Sequence, residues 1–432
     1  MCGVDLVWYC TVISNHRKEV KAEQQQIRAL NHGRQRVAVV DRDTPIQASL
    51  DRKLIARQST CGGRMLLPYI VLLRRSSMNH SHDNKVMPLR PWDLHRLADF
   101  FESALPPFGH GLIIRRLYWM TNHIEKCYYP AAVPKRNGGS RMLDVPYPDL
   151  KACQRRILEE FLPAIPVHSC AKAYVKGASL RDTTLPHVGK PLVVKLDIHD
   201  FYGSIRFRTV YERVFGEDRF PKKIGMILAN LCCCRGKLPQ GAPTSPTISN
   251  IVMYPLDEAV SEYCRQRGIT YTRYSDDMTF SGDFDPGELI RYVKTLLSRD
   301  GFALNNGKTR IIRRGQRQIV TGVVVNEKAQ LPAGYRRRIR QEVYFCRKYG
   351  VRDHIIRSGQ GEYIRFDAAS EDNLRIQQQK YLLHLLGQIG YALLIDPDNK
   401  EMQGYRKTVK EFLTDLRAVR KKDRERKGLR EE

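Results

Sequence analysis

The sequence predicts an α+β fold in which a small antiparallel sheet is combined with helices. Residues 271–281 place strand-favouring side chains on both sides of two adjacent carboxylates and end in turn residues, which is typical of a β-hairpin. Residues 192–198 form an apolar strand that ends in an acid. From residue 334 onward the chain is basic and has helical spacing. A chain of 432 residues can bury a large core in two or three subdomains.

The composition is strongly basic, with a formal net charge of +27 at pH 7. Such a charge predicts a polyanionic partner, either nucleic acid or anionic lipid. No apolar run is long enough to span a bilayer and no convincing signal peptide is seen, so we expect no membrane partner. The 11 cysteines lack disulfide-like spacing, which favours a cytoplasmic location. Cys232, Cys233 and Cys234 are consecutive, unlike zinc ligands, and are expected to pack at a helix end.

Changes in composition divide the chain into four parts. Residues 1–77 have no clean periodicity and mix Gln-rich with Arg-rich stretches, so we expect them to be disordered or a non-native extension. Residues 78–190 begin with helices, the first starting near Leu89 with Pro91 in its first turn. Residues 191–333 hold the predicted sheet, and residues 334–432 hold the basic helices and tail.

Three carboxylates from two segments are candidates for a metal site. Asp276 and Asp277 lie at the tip of the predicted hairpin, where a tight turn is needed to present both side chains together. Taken alone, this pair is compatible with a solvated turn. Asp197 ends an apolar strand, where a carboxylate is costly unless paired or metal-bound, although a turn or N-cap aspartate is the alternative. Three such carboxylates can hold two divalent ions about 4 Å apart for phosphoryl transfer.

Two basic segments precede these acids. Residues 137–139 separate two strand-like runs and predict a hairpin that brings Lys135 and Arg141 onto neighbouring strands, where they could clamp a triphosphate. A solvated basic hairpin is the alternative. Lys176 and Gly177 lie in a short strand and turn whose basic and small residues suit close approach by phosphate.

A Gly- and Pro-rich turn lies between the two acidic segments. It contains Gln240 and Gly241 and leads into a helix through Ser245 and Pro246, which we predict to be the N-cap and first helical residue. Such a junction offers backbone N–H groups and a flat glycine surface against which a base or sugar can lie.

In this order the motifs resemble those of a reverse transcriptase, and the likeness extends from about residue 128 to residue 326. The matching segments are residues 196–202, 239–241, 274–277 and 302–309. The resemblance implies a right-hand RNA-directed DNA polymerase. Its fingers would follow the first helices within residues 78–190. Its palm would occupy residues 191–333, with fingers helices inserted, and its basic helical thumb residues 334–432.

The resemblance also implies roles for individual residues. Asp197, Asp276 and Asp277 would be catalytic and would carry two Mg²⁺, or Mn²⁺, with help from the Ile198 carbonyl. Tyr202 would be the steric gate that selects deoxynucleotides. The residues implied to bind the nucleotide are Lys135, Arg141, Tyr202, Gln240, Gly241 and Lys308.

Within this family the chain is most similar to bacterial retron reverse transcriptases. Val320, Thr321 and Gly322 form the retron Val-Thr-Gly motif, expected in a strand. His187 matches the retron Asn-Ala-x-x-His motif, in which Thr183 and Thr184 here replace Asn and Ala. Ser275 stands where alanine is commoner. Group II intron-like and phage-defence reverse transcriptases remain alternatives. The residues implied to bind nucleic acid are Lys176, His187, Val320, Thr321, Gly322, Arg336, Arg337 and Arg338.

The retron resemblance implies partners and a product. The enzyme would use dNTPs to copy part of a cognate structured noncoding RNA into single-stranded DNA, primed by a 2′-hydroxyl of that RNA to give a branched RNA–DNA molecule. A separately encoded effector protein would complete an antiphage defence system. The alternatives are an RNA–DNA scaffold that restrains a toxin, and a template-independent or protein-primed polymerase.

Overall fold

The computed structural model describes residues 92–105, 109–134, 138–358 and 371–426. The expectation for residues 1–77 therefore lies outside the described residues, as do Pro91 and Lys135. The first described helix, α1 (Leu94–Glu102), begins after Asp93, whose carboxylate accepts a hydrogen bond from the Arg96 N–H at 2.8 Å. An aspartate N-cap thus starts this helix.

The predicted basic hairpin is present and follows helix α2 (His110–Asn122). Strands β1 (Tyr128–Pro134) and β2 (Ser140–Pro146) pair antiparallel, with Val133 opposite Arg141. Helix α3 (Pro148–Glu160) follows.

A four-stranded antiparallel sheet forms the centre of the fold. Its strands are β3 (Leu192–Asp197), β4 (Thr270–Tyr274), β5 (Asp277–Gly282) and β6 (Arg310–Arg313). The order β4-β5-β3-β6 places β3 between β5 and β6. The helices around it are α4 (Leu180–Thr184), α5 (Phe201–Ser204), α6 (Phe207–Val214), α7 (Lys222–Cys232), α8 (Ser245–Val252), α9 (Tyr254–Gln266) and α10 (Pro286–Arg299). Sheet and helices together confirm the predicted α+β class.

Strand β3 is buried on both faces, which explains its continuous apolar sequence. Because side chains alternate along a strand, Val194 and Leu196 pack into the core shared with the surrounding helices, whereas Val193 packs into a second core. Single-turn 3₁₀ helices at Ile124–Cys127, Leu162–Ala164, Leu185–His187 and Asn306–Lys308 connect these elements. The three consecutive cysteines are buried at the end of α7, which confirms their predicted packing role.

The second core is built by a small hairpin and the C-terminal helices. Strands β7 (Ile319–Val320) and β8 (Val323–Val324) are joined by Thr321 and Gly322, whose φ angles are +45° and +88°. Two consecutive positive φ angles are typical of a tight hairpin turn. The expectation that Val320, Thr321 and Gly322 lie in one strand is therefore wrong, because Thr321 and Gly322 reverse the chain.

Four helices complete this core: α11 (Ala333–Tyr349), α12 (Val351–Arg357), α13 (Glu371–Ile395) and α14 (Lys400–Arg426). Glycines at positions 387 and 390 disfavour a continuous helix, but α13 runs through both. Its buried Leu385 and Ile389 pack with the other helices, and this tertiary burial outweighs the roughly 1 kcal/mol cost of each glycine. Within the described residues, no helix has the length and apolar character needed to cross a bilayer.

Two neighbouring leucines on α13 test this packing. Leu385 is 1% exposed and Leu383 is 45% exposed. We expect Leu385→Ala to lower the free energy of unfolding by about 2–5 kcal/mol, because it leaves a cavity. The matched Leu383→Ala should change it by less than about 0.5 kcal/mol. Chemical denaturation of both variants measures the difference, and equal losses would contradict this orientation of α13.

Candidate active site

The pairing of β3 with β5 brings the predicted catalytic carboxylates to one end of the sheet. Asp197 lies directly opposite Asp277 in the antiparallel register. The Ile198 N–H donates to the Asp276 carbonyl oxygen at 3.1 Å, which holds Asp276 next to the end of β3. On the other side of β3, the Asn305 N–H donates to the Asp197 carbonyl oxygen at 2.8 Å. The structure therefore gathers all three aspartates that the sequence singled out.

A two-residue loop, Ser275 and Asp276, joins β4 to β5. Ser275 is buried and has a φ of +59°, a left-handed conformation that costs a residue with a side chain more than it costs glycine. Such conformations persist where the surroundings hold them. Here Arg273 Nη1 donates to the Ser275 carbonyl oxygen at 3.0 Å.

Negative charge is concentrated at this end of the sheet. Burial, with the neighbouring charges of Asp277 and Asp197, raises the pKa of Asp276 to about 6. Burial also raises the pKa of Asp277 above its ordinary value. Lys308 Nζ lies 3.0 Å from Asp197 Oδ2 and forms an ion pair with it. The site thus contains a charge excess that a cation would relieve.

The donor set suits a hard divalent ion bound together with a substrate. Across the described ranges, no group of three His, Cys, Asp or Glu side chains is arranged to hold a metal ion by itself. Mg²⁺ is usually bound through one or two carboxylates and substrate phosphates rather than by a complete protein cage. The opposed carboxylates of Asp197 and Asp277 and the raised pKa of Asp276 fit that kind of site.

Tyr202 lies beside the carboxylates on the short helix α5, directly after β3. Burial, with a smaller effect of the neighbouring Tyr174, raises the pKa of its phenol. Asp200, just before the helix, has a φ of +40°. A Cβ on Gly203 would lie 2.2 Å from Asp200 Oδ2, so a larger residue there would require the exposed Asp200 side chain to move. This turn sets the backbone position from which the Tyr202 side chain extends.

The turn containing Gln240 and Gly241 packs against strand β2. The Asp144 N–H donates to the Gln240 carbonyl oxygen at 2.8 Å. Gly241 has a φ of +131°, and a Cβ there would lie 2.6 Å from the Asp144 carbonyl oxygen. Glycine is thus required by the close approach of two backbones. Ser245 is the first residue of α8 and donates through Oγ to the Pro239 carbonyl at 2.7 Å, so its prediction as the N-cap is wrong.

The predicted basic contacts occupy several surfaces. Arg141 is exposed on β2, and Lys176 is exposed in the turn before α4. Arg337 and Arg338 are exposed on α11, whereas Arg336 is half-buried. Lys135 lies outside the described residues. Exposure allows phosphate contacts at these positions, and their roles remain predictions.

His187 does not have the accessible position that nucleic-acid binding requires. It is 0% exposed, and its ring nitrogens lie 2.7 Å from Ser281 Oγ and 2.8 Å from Thr272 Oγ1. Its side chain therefore joins β4 and β5 from the 3₁₀ turn that precedes β3. The prediction that His187 contacts nucleic acid is corrected, because the hydroxyls of the two strands use both of its polar atoms.

The Val-Thr-Gly hairpin is also an interior element. Val320 is 0% exposed and Thr321 is 2% exposed, and Val320 packs in the core shared with the C-terminal helices. Their side chains are therefore structural, which corrects the prediction of direct nucleic-acid contacts for Val320 and Thr321. Gly322 completes the turn and is half-buried.

Sequence reasoning missed a buried polar group beneath the loop formed by Ser275 and Asp276. Arg273 on β4 pairs with Asp257 on α9 and contacts Asn250 on α8. A signal was present, because an arginine that alternates with inward-facing strand residues must find a buried acidic partner. Its partner lies 16 positions away on a different element, so spacing alone does not identify it.

A family model described as reverse transcriptase (RNA-dependent DNA polymerase) matches residues 133–335. The Retron Mx65 reverse transcriptase of Myxococcus xanthus is 34% identical over 323 residues, covering 69% of each chain. The Retron Mx162 reverse transcriptase of the same organism is 34% identical, covering 50% of this chain and 51% of that protein. The Retron Ec86 reverse transcriptase of Escherichia coli is 29% identical, covering 52% of this chain and 72% of that protein.

The buried histidine predicts a specific pH dependence of stability. Burial, with a smaller effect of Lys190, lowers the pKa of His187 to about 4, below the unfolded value of about 6.5. Between these values the unfolded chain binds a proton that the folded chain does not, so stability falls as the pH drops through this window. Urea unfolding of wild type should show a loss of about 1.6 kcal/mol from this group between pH 6.5 and 5.

Two variants isolate this contribution. His187→Gln cannot titrate and should lose less stability than wild type over the same pH interval. His95→Gln changes an exposed histidine and should behave like wild type. If His187→Gln and wild type lost equal stability on acidification, the assignment of His187 as a buried neutral side chain would be wrong.

Proposed function

The chain belongs to the retron reverse transcriptases and is an RNA-directed DNA polymerase, and on this premise we propose that it copies part of a cognate structured noncoding RNA into single-stranded DNA. The observation that carries the proposal is the register of β3 and β5, which places Asp197 opposite Asp277 and next to Asp276. Three carboxylates at one strand end are suited to phosphoryl transfer from a nucleotide.

Reverse transcriptases act with divalent metal ions, and we propose two Mg²⁺ here. Asp197, Asp276 and Asp277 would hold them with the Ile198 carbonyl, and Mn²⁺ could replace them. When bound, such ions lower the pKa of the attacking hydroxyl and neutralise charge on the phosphate and leaving pyrophosphate. Asp276 must be ionised to serve as a ligand, and its pKa of about 6 leaves it mostly ionised at neutral pH. Lys308, which forms an ion pair with Asp197, would contact the nucleotide phosphates.

The surrounding residues would orient the nucleotide. The Tyr202 ring, which extends from the turn at Asp200, would lie under the sugar and exclude a 2′-hydroxyl. Gln240 and Gly241, held against β2, would offer a flat backbone surface to the base or sugar. Arg141 extends from the same strand and would grip the triphosphate, as would Lys135.

We further propose a right-hand division of the chain. The fingers lie within residues 78–190, the palm is residues 191–333 and the thumb is residues 334–432. The exposed arginines at the start of α11 and the net charge of +27 support binding of the template-primer backbone by the thumb. Phosphate contacts of this kind position a duplex without reading its sequence.

The proposal extends to the priming reaction and the biological role. A 2′-hydroxyl of the same RNA would act as primer, which gives a branched RNA–DNA product. The folded RNA and its contacts with the C-terminal helices would together place that hydroxyl where a primer end normally lies. A separately encoded effector protein would act with this product in antiphage defence.

Nucleic acid that copurifies with the protein tests the proposed product. We expect one discrete single-stranded DNA when the protein is expressed with its native upstream locus. Treatment with debranching enzyme should shift its mobility, because a 2′–5′ linkage joins the DNA to RNA. Sequencing identifies the copied segment. Heterogeneous DNA, or DNA whose mobility debranching leaves unchanged, would contradict 2′-primed synthesis from one RNA.

The side chain at position 202 tests the proposed selection of deoxynucleotides. In Tyr202→Val the ring is removed, so the ratio of ribonucleotide to deoxynucleotide incorporation should rise by about tenfold or more. The matched Tyr202→Phe removes only the hydroxyl and keeps the ring, so it should keep the discrimination. Single-nucleotide incorporation assays measure both ratios. An unchanged ratio in Tyr202→Val would remove Tyr202 from this role.

A further inference from the structure

Arg273 is the largest fully buried side chain of the described residues and lies on β4, three positions before Asp276. Its Nη2 donates to Asp257 Oδ2 at 2.6 Å, and its Nε donates to Asp257 Oδ1 at 2.9 Å. Its Nη1 donates both to the Ser275 carbonyl oxygen and to Asn250 Oδ1, each at 3.0 Å. A buried guanidinium is costly unless its donors are satisfied, and here all three nitrogens have partners.

These contacts join the loop between β4 and β5 to three elements behind the sheet. Asp257 belongs to α9 and also accepts a hydrogen bond from the Tyr271 hydroxyl at 2.9 Å. Asn250 belongs to α8, the helix that follows Gln240 and Gly241, and its Nδ2 donates to the Ala173 carbonyl at 2.8 Å. Arg273 is therefore the shared member of a network that reaches the loop, two helices and the segment before α4.

The contact with the Ser275 carbonyl has a direct geometric consequence. A peptide unit is planar, so holding the carbonyl oxygen of Ser275 fixes the plane that leads into Asp276. The next peptide unit is fixed by the Ile198 N–H, which donates to the Asp276 carbonyl oxygen at 3.1 Å. Both peptide planes that flank Asp276 are thus held by hydrogen bonds from other residues, in a loop whose left-handed Ser275 is otherwise unfavourable.

We propose that Arg273 is a positioning residue for DNA synthesis: its Nη1 fixes the peptide plane before Asp276 and thereby the direction of the Asp276 and Asp277 carboxylates. This inference rests on the proposed role of those two aspartates as metal ligands. A side chain that only stabilised the fold would not affect metal binding. Groups that orient metal ligands from behind typically change metal affinity or activity by about 10- to 100-fold when replaced.

Arg273→Lys is the informative substitution. A lysine ammonium can remain paired with Asp257, but it lacks the rigid fork that reaches the Ser275 carbonyl at the same time. Primer extension on an RNA template should show a kcat lowered about 10- to 100-fold and a raised Mg²⁺ concentration for half-maximal rate. The KM for dNTP should change little, because the nucleotide-binding turn is intact. Circular dichroism confirms that the protein measured is folded.

Arg213 provides a matched control. Its Nη1 donates to the Val252 carbonyl oxygen at 2.6 Å and to Asp300 Oδ2 at 3.2 Å, so it also links a backbone carbonyl to a carboxylate. Arg213→Lys should lower thermal stability and leave the Mg²⁺ dependence unchanged. The inference is overturned if Arg273→Lys has the kcat and Mg²⁺ dependence of wild type, or if Arg213→Lys shifts the Mg²⁺ dependence equally.

A second variant tests the inference if Arg273→Lys does not fold. Arg273→Met combined with Asp257→Leu removes both charges together, which avoids an unpaired buried charge and is often neutral for stability. Reduced kcat with a raised Mg²⁺ requirement supports positioning, and wild-type values overturn it.

Asp276→Asn separates the proposed metal role of Asp276 from the proposed positioning role of Arg273. If Asp276→Asn stays active, the proposed metal role fails; if it is inactive while the folded Arg273 variants resemble wild type, only the positioning role fails.

Discussion

The antiparallel register of β3 and β5 is the constraint on which the rest of the site depends. Asp197 and Asp277 are opposite each other only in this register, and a slip by one residue would turn every side chain of the strand to the other face. The register is set by burial, because Val193 packs into one core and Val194 into another. Packing of apolar residues thus determines where the carboxylates lie.

Concentrating three carboxylates at one strand end works against folding unless other groups compensate. Lys308 pairs with Asp197, whereas burial and the neighbouring carboxylates raise the pKa of Asp276. The backbone at this end is held from several directions: Ile198 and Asn305 through their N–H groups, and Arg273 through its guanidinium. An arrangement fixed in advance needs little reorganisation when a cation and a nucleotide bind.

Local patterns predicted much of this fold and site. The apolar strand that ends in Asp197 and the hairpin around Asp276 and Asp277 were read from composition and turn residues, and the structure contains both. The predictions that failed concern tertiary contacts. His187 was expected at a nucleic-acid surface, yet it bonds two strands in the interior. A side chain that pairs with residues 85 and 94 positions away leaves no local signature.

The same dependence on tertiary contacts explains the wrong predictions in the second core. It also explains why the buried polar group beneath the Ser275 and Asp276 loop was missed. Val320, Thr321 and Gly322 read as one strand because two of the three residues are β-branched. The packing of Val320 and Val323 into the C-terminal helices instead favours a hairpin with its turn at Thr321 and Gly322. In the same way, burial of apolar side chains along α13 keeps the helix continuous across its two glycines.

The most direct test of the central claim is Mg²⁺-dependent incorporation of dNTPs on an RNA template by purified protein, measured together with RNA affinity. In Asp197→Asn and Asp277→Asn, which are nearly isosteric changes, incorporation should fall below detection while RNA affinity stays at the wild-type value. That result would locate the chemistry at the paired strand ends. Continued incorporation by either variant would contradict the claim that the opposed carboxylates of β3 and β5 carry out polymerisation.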